Sequence, residues 1–257
     1  MLYVLLSPAK KLDFSPGSQP APSTAPVHLK DTAILAERAK KLSAGDLRRL
    51  MHLSPKLADL NHARFEAFDL KNRTNTKPAI FTFSGDVYIG LDAKTLTDDD
   101  IAFAQKHLGI LSGLYGVLRP LDAIQAYRLE MGTAFKTDRG KNLHEFWNAP
   151  LTKAINSTLA RMKAPTLINL ASDEYFNAID ADKLKAPVIQ PVFKEIKNGK
   201  AMALSFFFKK ARGMMARYII QNRIDDPERL KAFDGGGYKF DAKTSSTTRW
   251  TFTRKAK

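Results

Sequence analysis

Between Ser205 and Arg223 an apolar run, Phe206-Phe207-Phe208, passes without a break into Lys209-Lys210-Ala211-Arg212-Gly213 and then into a helical pattern. A fold that accepts this stretch must let a buried strand hand over directly to a basic helix. At 3.6 residues per turn, Ala211, Met214, Met215, Tyr218 and Ile219 fall on one face, and Lys209, Lys210, Arg212, Arg217 and Arg223 spread over the other. Gly213 and Ala216 sit near the middle of the basic face, where small residues admit a phosphate or another backbone, although Ile220 interrupts the pattern. Two readings fit the stretch taken alone: an anion site built on Lys209, Lys210, Arg212 and Arg217, and an ordinary amphipathic helix with solvated charges.

The charge balance favours the first. The chain has 41 Lys and Arg against 26 Asp and Glu, a formal net charge of +15, more excess than solubility needs. Such an excess points to polyanionic partners, with nucleic acid the default. The 257 residues, 44% of them apolar, are enough for one large core. There is no cysteine. Disulfides, thiolate metal sites and cysteine nucleophiles are therefore excluded. Met1 to Leu6 is apolar but short, lacks a basic leader and runs into Ser7-Pro8-Ala9-Lys10, which reads as a first strand and not a signal peptide. No run approaches the roughly 18 apolar residues of a membrane span, so a cytoplasmic protein without membrane contact is expected.

Taken in order, the chain reads as strand Leu2 to Leu6, a Pro- and Ser-rich loop over Ser15 to Pro26, and a helix over 27–42. From Ser43 to Phe65 two short helices flank the turn Met51-His52-Leu53-Ser54-Pro55. Set beside the helix-hairpin-helix pattern of non-specific DNA binders, this corner offers Leu50, Met51-His52-Leu53-Ser54 and Ala58, with both turn glycines replaced, by His52 and Ser54. In that motif the hairpin amides and the start of the second helix hold a backbone phosphate, which makes His52, Ser54, Lys56 and Arg64 candidates. A plain helical corner, with Ser54 as cap and Pro55 as first helical residue, explains most of the same residues.

Ala79 to Phe83 reads as a strand, Thr97 caps a helix to His107, and Gly109 to Leu114 reads as a buried strand leading into a glycine-containing loop with Arg119. Alternation over Tyr127 to Gly132 predicts a strand with Arg128 and Glu130 on one face. Asn142 caps a helix to about Met162, bent at Pro150. Thr166 to Leu170 is a strand, and Ser172 caps the next helix. Val188 to Ile196 and Ala201 to Phe208 flank Asn198-Gly199, a two-residue hairpin signal. Asp226 starts a short helix, and Tyr238 to Phe240 with Arg249 to Thr253 form a last pair of strands. No repeat or boundary interrupts this order. The expectation is one mixed α/β domain over residues 1–257, with a central mixed sheet, outer helices and a helix-hairpin-helix-like corner.

Five separated blocks carry a resemblance. Ser7-Pro8-Ala9-Lys10, Leu111 to Asp122, Tyr127-Arg128-Leu129-Glu130-Met131, Asn169 to Phe176, and Lys209-Lys210-Ala211-Arg212-Gly213 together closely resemble the bacterial peroxide stress protein YaaA family, over nearly the whole chain. The resemblance implies a cytosolic protein of the oxidative stress response, associated with limiting free iron and iron-driven DNA damage. It also implies DNA binding on an unusual α/β fold with a helix-hairpin-helix element and a positively charged cleft. No enzymatic activity comes with it.

Enzyme chemistry has two forms here. Ser7-x-x-Lys10, Ser172-Asp173 and Lys243-Thr244-Ser245 follow the order of the penicillin-binding motifs, but Glu174 stands where Asn is needed and Ser245 where Gly is needed. The broader form gathers Lys10, Arg119, Arg128, Glu130, Glu174, Tyr175, Lys209 and Arg212 around a phosphate-bearing substrate, with Glu174, Tyr175 and Glu130 as catalytic candidates. The bland alternative is that Glu130 and Glu174 simply pair with those cations. The five histidines, His28, His52, His62, His107 and His144, show no ligand spacing, and no motif implies a metal or cofactor. The favoured reading is double-stranded DNA held with weak sequence preference. An enzyme acting on a nucleotide or nucleic acid is the alternative.

Overall fold

The computed structural model describes residues 1–16, 22–71, 75–163, 165–197, 200–202 and 204–256. The chain begins with strand β1 (Leu2–Leu6), followed by helices α1 (Leu29–Lys40), α2 (Ala44–Met51) and α3 (Pro55–Glu66). A short strand β2 (Lys77–Pro78) leads into α4 (Ala79–Thr82), α5 (Asp86–Leu91) and α6 (Asp98–His107). Next come β3 (Leu108–Ser112), β4 (Gly116–Leu118), β5 (Ala123–Ile124) and the long α7 (Leu143–Leu159). The last part holds β6 (Thr166–Leu170), α8 (Asp173–Phe176), β7 (Val188–Lys197), β8 (Lys200–Met202), α9 (Ser205–Gln221), β9 (Lys239–Phe240) and β10 (Arg249–Lys255).

The strands form a mixed eight-stranded sheet in the order β4-β3-β1-β6-β7-β10-β9, with β8 beside β7, and a small β2-β5 ribbon. The middle of the sheet, β3-β1-β6-β7-β10, is parallel throughout. Both faces of β1 and β6 are covered, because every residue from Leu2 to Leu6 and from Thr166 to Leu170 is buried. The continuous apolar run of β1 and the full burial of β6, Thr166 and Asn169 included, suit parallel strands wrapped by helices. The chain runs from β1 to β3 on one side and later returns to β6 on the other. The β1–β6 boundary is thus the point where the winding reverses, and in open α/β sheets ligands bind outside the carboxyl ends of the strands at that point.

Caps explain several helix starts. Ser43 and Thr97 each accept from the backbone three residues on and receive a carboxylate in return, from Asp46 and Asp100. Asn142 accepts from the amide of Glu145 at the start of α7. Pro150 leaves the carbonyl of Phe146 without its helical donor, and the guanidinium of Arg139 supplies one at 3.2 Å while lying 3.9 Å from the Phe146 ring centre. The helix therefore continues through Pro150 to Leu159.

Three expectations are corrected. Ala79 to Thr82 is a helical turn, closed where the Thr82 hydroxyl donates to the carbonyl of Pro78 at 2.8 Å. Phe206 to Phe208 begins α9, since Phe208 continues the buried helical stripe of Ala211, Met215 and Ile219 and β8 ends at Met202. The segment 127–130 is unpaired in the described sheet, although Arg128 and Glu130 do meet. The Asn198-Gly199 turn lies outside the described residues, but β7 and β8 on either side pair antiparallel. No helix among the described residues is long and apolar enough to cross a membrane.

Candidate functional site

The carboxyl ends of β1 and β6 lie side by side because the two strands pair in register, Leu6 opposite Leu170. Ser7 and Ser172, just beyond them, are locked together: the Ser172 amide donates to Ser7 Oγ at 2.8 Å, and the two hydroxyl oxygens are 3.2 Å apart. Above this junction opens a cleft of about 340 Å³. Its walls come from Ser7 to Lys11 after β1, from Ser84 to Val87 at the start of α5, from Ser172, Glu174 and Tyr175 after β6, and from Lys209 and Arg212 on α9.

Glycines bring these walls together. A Cβ on Gly213 would overlap the carbonyl oxygen of Val87, and one on Gly90 would overlap that of Lys210, so α5 and α9 cross backbone against backbone. The small residues of the basic helix thus admit a backbone, that of α5. Tyr88 of α5 donates to the carbonyl of Ser7 at 3.1 Å and ties the pair of helices to the end of β1. On the other side a Cβ on Gly113 would overlap the carbonyl oxygen of Leu129, which lets the segment carrying Arg128 and Glu130 cross the end of β3. The Ser112 and Tyr127 hydroxyls bond at 2.6 Å and fix that crossing.

The cleft therefore gathers Lys10, Glu174, Tyr175, Lys209 and Arg212. Arg128 and Glu130 border an adjoining notch of about 20 Å³ that Lys10 and Tyr175 also line. Arg128 Nε and Nη2 both donate to Glu130 Oε1, at 3.0 and 2.9 Å, and Lys10 Nζ lies 3.4 Å from the same oxygen. Glu130 Oε2 is buried and has no hydrogen-bond partner. Glu174 pairs differently from the expectation: its Oε1 accepts from the amide of Gly132 at 3.2 Å, and His144 Nε2 donates to its carbonyl at 2.7 Å. Burial pushes the Tyr175 hydroxyl well above its usual pKa, so it stays protonated near neutral pH. Burial likewise lowers the pKa of the Arg212 guanidinium, against the opposing charge of Asp173, and the group packs over the ring of Phe208 at 5.1 Å.

Other candidates lie outside the cleft. Arg119 is committed to Asp122, at 2.8 Å, and to the carbonyl of Ala25. Arg217 donates to the carbonyls of Leu91 and Asp92 and so finishes α5. Lys210 contributes its carbonyl to the α5 crossing. His52, Ser54, Lys56 and Arg64 belong to the α2–α3 corner, where His52 adopts φ 52° and Ser54 Oγ accepts from the amide of Leu57. His52 thus holds the left-handed conformation for which the hairpin motif uses a glycine. Sequence reasoning missed Lys11 and the Ser84 to Val87 wall, because α5 is six residues long and has no side-chain cap to announce it. No group of three or more His, Asp or Glu among the described residues is placed to hold a metal ion.

The comparisons agree with this chain-wide pattern. The family model described as peroxide stress protein YaaA matches residues 1–244. A "UPF0246 protein" of Saccharophagus degradans is 48% identical over 255 residues, 99% of this chain and 100% of the relative. One from Caulobacter vibrioides is 50% identical over 253 residues, 98% of this chain and 99% of the relative, and one from Dechloromonas aromatica is 49% identical over 255 residues, 99% of each. Four of the five sequence blocks that carry the resemblance supply walls of the cleft and its notch. With a family match over nearly its full length and relatives of about half-identical sequence across it, the chain belongs to the bacterial peroxide stress protein YaaA family.

Proposed function

We propose that this protein binds DNA during the peroxide stress response, holding backbone phosphates with little regard to sequence and so limiting iron-driven damage. The observation that carries this reading is the gathering of Lys10, Lys11, Lys209 and Arg212, from two distant segments, around one cleft in a chain of net charge +15. Phosphate contacts of this kind position a duplex without reading its bases. Affinity for unrelated duplexes should fall with salt by about 0.9 log units per log of salt for each phosphate neutralised, so a slope of roughly three to four corresponds to four engaged cations. A salt series on several duplexes measures it. A flat response, or strong preference for one duplex, overturns the reading.

A second reading, an enzyme acting on a nucleotide or nucleic acid, is favoured by one observation: Glu174 stands in this cation-lined cleft without a cationic partner within 4 Å among the described residues. An acid there repels phosphate, a cost that a role in proton transfer would account for. Glu174→Gln in a pure binding protein leaves DNA affinity unchanged or slightly higher. In an enzyme the same change abolishes turnover while substrate binding persists. Nucleotides and single- and double-stranded DNA, incubated with wild type and variant in parallel, decide between the two.

A further inference from the structure

The cleft beyond the carboxyl ends of β1 and β6 and its adjoining notch have two unmet demands. Among the described residues no hydrogen bond or ion pair holds the guanidinium of Arg212, which is partly buried, and Lys209 lies three residues before it on the same helical face. In the adjoining notch, which Lys10 and Tyr175 also line, Glu130 Oε1 is taken by Arg128 and Lys10, while the buried Oε2 has no donor among the described residues. A buried acceptor left unmade is costly, and native structures rarely keep one without a reason. A cation without a hydrogen-bonded partner in the cleft and an acceptor without a donor in its adjoining notch call for a ligand that carries both an anion and a hydrogen-bond donor. Inorganic phosphate brings the first and satisfies the second poorly. A nucleotide brings both, through its phosphate and through the amino, imino or hydroxyl groups of its base and sugar.

Size and place agree. A recess of about 340 Å³ is at the small end of ligand pockets, large enough for one nucleotide and too small for a duplex. It also lies at the winding reversal of a parallel sheet, where this architecture holds nucleotides. We propose that the cleft binds a single nucleotide unit, with its phosphate on Lys209 and Arg212 and one donor group of its base or sugar reaching Glu130 in the adjoining notch. The inference rests on the reading of the cleft as the nucleic-acid site and narrows it: the duplex backbone passes over the surface, and only one nucleotide enters. That nucleotide is either free or the unpaired end of a strand, and the two sources share the same chemistry.

Calorimetric titration tests this on the full chain, with the four deoxynucleoside 5′-monophosphates, inorganic phosphate, a short single strand and a duplex as probes. Lys209→Ala and Arg212→Ala should each weaken mononucleotide and phosphate binding about tenfold, the loss expected for one charge-assisted hydrogen bond. Glu130→Gln should weaken the mononucleotides and leave phosphate unchanged or tighter. Saturable mononucleotide binding identifies the free source. Weak mononucleotides that nonetheless compete with a tightly bound single strand identify the strand end. Phosphate binding as tightly as every nucleotide, or nucleotide binding untouched by Lys209→Ala, overturns the proposal; Lys209 is exposed, so its variant should fold normally. Duplex binding with neither mononucleotide nor single-strand binding overturns the nucleotide site and leaves the DNA reading standing. Nucleotide binding without duplex binding does the reverse.

Discussion

Gly213 shows how one residue can be legible in kind and illegible in partner. Its small size on a basic helix face marks a place of close approach, and sequence alone leaves phosphate and backbone both open. The structure fills the place with the carbonyl of Val87, and Gly213 is buried. Nothing in Asp86 to Leu91 could have decided this, since six apolar-rich residues without a cap give no period to count. Gly213→Ala should lower stability by about 3 kcal/mol, at the upper end for overpacking, because the clash is with backbone and α5 cannot yield without losing Tyr88 from the end of β1. Urea unfolding of the variant measures this, and a loss below about 1 kcal/mol would mean that the two helices slide apart freely. Arg217 was misleading in the same way: a cation on the polar face, it serves the carbonyl end of α5.

Among elements, those with strong local chemistry were legible. Strand β1 is a continuous apolar run, β6 places three apolar residues among Thr166 and Asn169, and α6 carries its capping box in plain sequence. Failures fell on short apolar runs such as Ala79 to Thr82 and Phe206 to Phe208, where strand and helix share a composition and packing decides. The α2–α3 corner was legible as two helices and a turn, and its function was not. His52 at φ 52° reproduces one glycine-like bend of the hairpin motif, while Lys56 and Arg64 stand on the second helix of the corner. If the corner holds a phosphate, replacing Lys56 and Arg64 together by Ala should weaken duplex binding about tenfold or more while the melting temperature moves by only a few degrees. Unchanged affinity in a folded double variant would leave the corner with an architectural role alone. Because neither residue lines the cleft, the same variant should bind mononucleotides as wild type does.

At the scale of the whole molecule, the strand order was the hidden part. Periodicity is local, whereas β1 pairs with β3 and β6, more than a hundred residues further on. The cleft arises from that order, so its residue types could be picked out along the sequence while the recess that joins them could not. One sheet spanning the chain should unfold as one unit, and the two tryptophans test this. Trp147 packs against Gly116 of β4 at one end of the sheet, and Trp250 sits on β10 near the other. Fluorescence midpoints in denaturant should coincide for Trp147→Phe and Trp250→Phe variants once each is referred to its own circular-dichroism transition. Distinct midpoints within either variant would divide the sheet into separately folding parts.

The central position of β1 also bears on how the protein is made. Strand β1 is synthesised before either of its neighbours in the middle of the finished sheet, and the second of them, β6, does not exist until residue 170 has been added. At about 5–20 residues per second, that is a delay of roughly ten to thirty seconds during which Leu2 to Leu6, an apolar edge with no partner on one side, must be shielded. Synthesis rate and chaperone contact with this segment should therefore govern the yield of folded protein, which a comparison of slow and fast expression with and without added chaperone measures.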